Sequence, residues 1–179
     1  MDPADYDFLQ RLKQRDTAAL RQWIDDSYDD VFRFMHHLTR QRESAEDLAQ
    51  QTFVKAFEGL KSFEGRASMR TWLHKIAFRE YVRWRRFHRL TLPLELLGGS
   101  RDRNVERVDQ NQALLTALHE QAPALREAFL LYEVQGLTIE EIVLVTGSPT
   151  GTVKSRLHHA RQGLQKSLKS TFKEVVYEC

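Results

Sequence analysis

Apolar residues recur at three- and four-residue steps along most of this chain, and strict two-residue alternation is hard to find. That periodicity predicts helices that each bury one face. A short helix is expected from Asp5 to Arg15. From Thr17 to Leu38, Leu20, Trp23, Ile24, Tyr28, Val31, Phe32 and Met35 form a buried stripe. Ser44, with Asp47 three residues on, resembles a capping box. The helix behind it carries Leu48, Thr52 or Phe53, Ala56, Phe57 and Leu60 on one side, with Gly59 near its end. Ser62 to Ser68 reads as a loop, FEGRAS, and a long helix runs from about Met69 to His88. Leu73, Ala77, Trp84 and Phe87 line the apolar side of that helix; Lys75, Arg79, Arg83 and Arg86 line another. Glu80 falls on the apolar side, where a pair with Arg83 or Lys75 would account for it.

The pattern breaks from Leu92 to Asn111, where Pro93, Gly98-Gly99, Ser100 and alternating charges read as a linker, helical in its last third. The chain therefore divides into an N-terminal domain (1–91), a linker (92–111) and a C-terminal domain (112–179). The expected fold class is all-α, two small helical domains joined by a flexible linker. The second domain opens with Ala113 to about His119, followed by a helix from near Pro123 through Tyr132 that Gly136 ends. Thr138-Ile139-Glu140-Glu141 fits a capping box for a short helix, Ile139 to Val145. Thr146-Gly147-Ser148 makes a tight turn, with Ser148 placed to cap the next helix and Pro149 at its first position. Val153, Leu157, Ala160, Leu164 and Leu168 are that helix's apolar stripe.

Composition narrows the class. Only 8 of 179 residues are glycine and 4 proline, as suits helices. No run approaches the roughly 18 apolar residues of a membrane helix. The acidic start, Met1-Asp2-Pro3-Ala4-Asp5, lacks the regions of a signal peptide, so a cytosolic protein without membrane insertion is expected. Cys179 is the sole cysteine, which excludes an internal disulfide and a cysteine zinc cluster.

The net charge of +2 says little, but its distribution says more. From Arg66 to Arg89 the only acid is Glu80, and from Ile142 to Lys173 there is none. Two separate basic segments suggest two contacts with a polyanion; solvated helix faces are the plainer alternative. In the second segment, two short helices joined by a Gly-containing turn make a helix-turn-helix. Its second helix would enter a major groove with its N-terminal end foremost. Thr150, Thr152, Lys154, Ser155, His158 and His159 lie off the apolar stripe and can face DNA. In the first segment, Arg residues alternate with Trp72, Phe78, Tyr81, Trp84 and Phe87 beside the FEGRAS loop. Cations with aromatic faces suit single-stranded nucleic acid, although Trp84 and Phe87 sit on the apolar stripe and read as core.

These motifs carry a resemblance. RESAEDLAQQTFVKAFEGLKSFEGRASMRTWLHKIA resembles the second conserved region of extracytoplasmic-function sigma factors, and LREAFLLYEVQGLTIEEIVLVTGSPTGTVKSRLHHARQGL their fourth. With Thr17–Arg42, which looks like the family's first subregion, the likeness covers most of the chain outside the linker and ends. It implies a subunit that directs RNA polymerase to promoter DNA. The helix with Asp47, Leu48, Gln50 and Gln51 would pack on the clamp helices of the largest polymerase subunit. Arg66, Ser68, Arg70, Trp72, Arg79, Arg83 and Arg86 would meet the melted minus-ten strand. Thr150, Thr152, Lys154, Ser155, Arg156, His158, His159 and Arg161 would meet the minus-thirty-five duplex. Implied partners are the polymerase core, at its clamp helices and flap, promoter DNA, and an anti-sigma factor; no cofactor, metal or catalytic residue is implied. The chain departs from the family pattern at Gln51, where Glu is frequent, at Arg79, where Asn is, and at Arg83, where Asp is.

Two other classes fit the sequence less well. A stand-alone helix-turn-helix regulator has no use for the AEDLAQQTF helix or the basic aromatic helix. A metal-dependent hydrolase would have to use His36-His37 or His158-His159, yet adjacent histidines on a helix point about 100° apart, which is poor for chelation. The sequence also holds no H-x-x-x-H or phosphate-binding glycine motif.

Overall fold

The computed structural model describes residues 3–91 and 110–177, with side chains placed for 6–88 and 114–168. The described residues are helical and contain no strand. The expected helicity of the linker's last third falls largely outside them. The chain divides into two compact units, Met1–Gly99 and Ser100–Cys179.

The first unit holds α1 (Pro3–Lys13), α2 (Thr17–Thr39), α3 (Arg42–Gly59), a 3-10 turn (Leu60–Ser62) and α4 (Met69–Thr91). Helix α2 packs against α1, α3 and α4, and α3 packs against α4. Asp16 caps α2: its carboxylate accepts from the Ala19 N–H at 2.7 Å. That bond holds the Asp16 carboxyl below its ordinary value. Arg15 and Arg40 take left-handed backbone angles, φ 62° and 58°, at positions where a helix more often ends on glycine. Arg15 lies over the Phe57 ring, 4.6 Å from its centre.

Three details correct the sequence reading here. Helix α3 starts at Arg42, with Gln41 as N-cap, because the Gln41 carbonyl already accepts from the Ala45 N–H. Ser44 therefore sits inside the first turn and donates to Gln41 Oε1 at 2.8 Å instead of capping. On α2 the fully enclosed residues are Ala19, Val31, Phe34 and Met35, with Leu38 close behind, whereas Ile24 is 38% exposed. On α4 the burial is rotated toward Phe78 and Tyr81. Trp84 is half-buried and Phe87 is 63% exposed, so Phe87 is not a core residue. Glu80 is buried and accepts from Arg83 at 3.0 Å, one of the two pairings expected of it.

The second unit holds α5 (Gln110–Glu120), α6 (Pro123–Phe129) running into a π-helical turn (Leu130–Val134), α7 (Ile139–Thr146) and α8 (Thr150–Tyr177). Helix α8 is its spine and contacts α5, α6 and α7. Gly136 (φ 62°) reverses the chain after the π turn, and the Leu137 N–H reaches back to the Leu131 carbonyl. The capping box at Thr138 and Glu141 is present in both directions, at 3.2 and 2.9 Å. Gly147 (φ 71°) then closes α7. Helix α8 begins at Thr150, so Pro149 precedes it, and Ser148 does not serve as its cap: the Ser148 hydroxyl accepts from Arg156 at 2.8 Å. Val153, Leu157, Ala160 and Leu164 are buried along α8 as their spacing requires, and Leu168 is half-buried.

Candidate nucleic-acid and polymerase interfaces

The outer face of α3 is built by the helix period. Ala45, Leu48, Ala49, Thr52, Phe53 and Ala56 turn inward, which leaves Asp47, Gln50, Gln51 and Val54 outward. Leu48 is therefore corrected: at 2% exposure it is core and positions the polar face without belonging to it. Asp47, Gln50, Gln51, Val54 and Lys55 border an open groove of about 310 Å³ whose other wall is Glu80 and Arg83 of α4. Val54, 55% exposed, puts an apolar floor among these polar groups. Sequence reasoning missed it, although its place four residues after Gln50 marks it as outward.

Arg83 is the unexpected member. Expected with the melted strand, it lines the α3 groove and satisfies the buried Glu80 carboxylate. The other residues of that group also divide. Ser68 accepts from the Thr71 N–H at 3.0 Å and shares a 2.7 Å bond with the Thr71 hydroxyl, so it caps α4. Arg70 ties α4 to α2 through two contacts to Asp30 Oδ2, at 3.0 and 2.9 Å, with His74 Nε2 3.8 Å from the same oxygen. Trp72 packs in an aromatic cluster, 4.9 Å from Phe63 and 6.5 Å from Trp23 between ring centres. Gly59 lets that ring approach, since a Cβ there would stand 3.2 Å from it. Arg66, beside the left-handed Gly65 (φ 72°), pairs with Glu64 in the exposed loop. Arg79 and Arg86 are exposed along α4.

On α8, Thr150, Lys154, Ser155, His158 and His159 are exposed and Thr152 is half-buried. The two arginines of that set also make contacts within the unit, Arg156 half-buried and Arg161 exposed. Arg156 is held by Ser148. Arg161 makes two bonds to Glu133, at 3.1 and 2.7 Å, and lies over the Tyr132 ring. These contacts brace α8 against the α7–α8 turn and the π turn, and His158 and His159 between them face outward.

Comparison with known proteins places both units. Residues 23–91 match the family described as Sigma-70 region 2, and residues 111–164 match Sigma-70, region 4. The chain belongs to the sigma-70 family, in its extracytoplasmic-function group. It is 33% identical to RNA polymerase sigma factor YlaC of Bacillus subtilis over 174 residues, 91% of this chain and 98% of that one. It is 35% identical to the ECF sigma factor SigC of Mycobacterium tuberculosis over 153 residues, 82% of this chain and 81% of the relative. Among solved structures, the sigma factor RpoE of Bartonella quintana, in complex with the anti-sigma factor NepR, aligns with TM-score 0.68 at 28% identity. That alignment covers 83% of this chain and 96% of RpoE. CnrH, solved with the cytosolic domain of CnrY, shares the fold at TM-score 0.71 and 21% identity, over 93% of this chain and 98% of CnrH. The α3 groove and the α4 arginines of this sigma factor thus lie in region 2, and the helix-turn-helix lies in region 4.

Proposed function

We propose that this sigma factor brings core RNA polymerase to promoters through three surfaces. The N-terminal domain (1–91) docks on the clamp helices of the largest subunit with Asp47, Gln50 and Gln51, and Val54 and Arg83 complete that groove. Arg66, Arg79 and Arg86 follow the melted minus-ten strand, their position fixed by Ser68, Arg70 and Trp72. The C-terminal domain (112–179) lays α8 into the minus-thirty-five major groove. Lys154, Ser155, His158 and His159 address base edges there, and Thr150 and Thr152 the backbone. The 92–111 segment links the two domains, and region 4 also engages the polymerase flap.

The observation that carries this reading is the outward row Lys154, Ser155, His158 and His159 on a region 4 helix, in a stretch without any acid. Such a row attracts phosphate by charge and can address guanine and adenine edges. An anti-sigma factor covering these surfaces would hold the protein inactive, as suggested by the RpoE structure, which contains one. A protein that works with polymerase would act in the cytoplasm.

Co-purification tests the docking step. The protein should form a stable one-to-one complex with purified core polymerase, and Gln50→Arg should weaken it while leaving helix content unchanged. Tight duplex binding with no core complex would point to a stand-alone regulator.

A further inference from the structure

Glycine inside a helix loosens it relative to alanine, so each one needs a reason. Gly65, Gly136 and Gly147 have positive φ, 72°, 62° and 71°. Gly59 makes room for Trp72, and Gly163 for the Gln121 side chain, which an added Cβ would displace. Gly151 alone among the described glycines has no such internal reason. It lies in the first turn of α8, is exposed, and a Cβ there would meet nothing within 4 Å. Alanine would fit the fold and favour the helix. A requirement for glycine at this position would therefore lie outside the chain.

Resting on the DNA-reading role of α8, we infer that Gly151 is a clearance position: its bare backbone lets one strand of the promoter duplex pass in van der Waals contact with the first helical turn. Exposed Lys154 and Ser155 follow one turn later, and Thr150 stands beside it. A methyl at Gly151 would project about 1.5 Å toward that strand. A hydrogen bond near 2.9 Å does not survive such a displacement. The effect is selective. The short Ser155 side chain cannot follow its base edge as the DNA recedes, whereas the attraction of the acid-free helix for phosphate acts over a longer range. Sequence discrimination should then fall while the charge contact with phosphate persists.

The test is Gly151→Ala in the full-length protein. Wild-type protein with core polymerase first selects its upstream element from random promoter DNA. A duplex of about 30 base pairs carrying that element (roughly three helical turns) and an unrelated duplex are then titrated with both proteins. The variant should unfold at the same temperature as wild type or higher. Its preference for the selected over the unrelated duplex should drop roughly tenfold, with the dependence of affinity on salt little changed. An unchanged preference, or a lower unfolding temperature, overturns the clearance role while leaving the sigma reading intact. A wild-type protein that selects no element overturns the function proposal and this inference with it.

Discussion

Trp72 separates a packing residue from a base-stacking one, and the two roles differ in what its removal costs. Its ring is half-buried, touching Phe63 and Trp23 and passing close to Gly59. Truncating a fully buried tryptophan to alanine costs about 3–5 kcal/mol. Halving that for the exposed part and adding about 0.5–1.5 kcal/mol for the lost aromatic pair leaves about 2–4 kcal/mol. In a unit of this size, each kcal/mol lowers the unfolding midpoint by roughly 4–8 °C, so Trp72→Ala should lose about 8–30 °C. The assay is specific to the first unit, because Trp23, Trp72 and Trp84 are the protein's only tryptophans and all fall within Met1–Gly99. Fluorescence of the remaining two then follows that unit alone. Trp72→Phe should recover most of the midpoint and bind single-stranded minus-ten DNA like wild type. A midpoint within about 2 °C of wild type for Trp72→Ala, joined to loss of single-strand binding, would refute the packing role.

Arg83→Ala strands the buried Glu80 carboxylate and should destabilise the first unit by about 1–3 kcal/mol in urea titration; Glu80→Leu in the same background should restore it. Restoration failing would mean the pair is not the reason. Lys154→Ala should weaken binding to the selected upstream element by about 1–3 kcal/mol if the side chain reads a base; equal loss on every duplex would assign it to phosphate. His37 is held below its ordinary value of 6.5 by burial and then by the nearby His36 and Arg33 charges. Its neutral form belongs to the folded state. The contribution is therefore present above pH 6.5 and lost as pH falls below it, because the unfolded chain takes up the proton first. His37→Gln should flatten the fall in stability below that pH; an unchanged slope would discount His37.

Most of the architecture was legible because helix period and capping chemistry are local. The Thr138–Glu141 box, the Gly136 and Gly147 reversals and the α8 stripe needed only neighbours in sequence. What was missed depends on the third dimension. The period of α3 already put Leu48 on the apolar side, and its burial at 2% exposure separates it from the outward Asp47 with which the family resemblance grouped it. Phe87 fits the apolar period of α4 but is exposed, since burial along that helix is rotated toward Phe78 and Tyr81. Ser68, Arg70, Arg156 and Arg161 have the right chemistry for DNA and are also engaged by Thr71, Asp30, Ser148 and Glu133. Charge read along a chain cannot distinguish a cation that faces a partner from one that braces its own fold. The resemblance to the sigma family supplied which surface meets which partner.

Promoter-dependent transcription by purified core polymerase, with and without this protein, on a library of random upstream DNA tests the sigma role most directly. Defined transcripts that need the protein, sharing two spaced upstream elements, are the expected result. No dependent transcripts and no complex with core would contradict it.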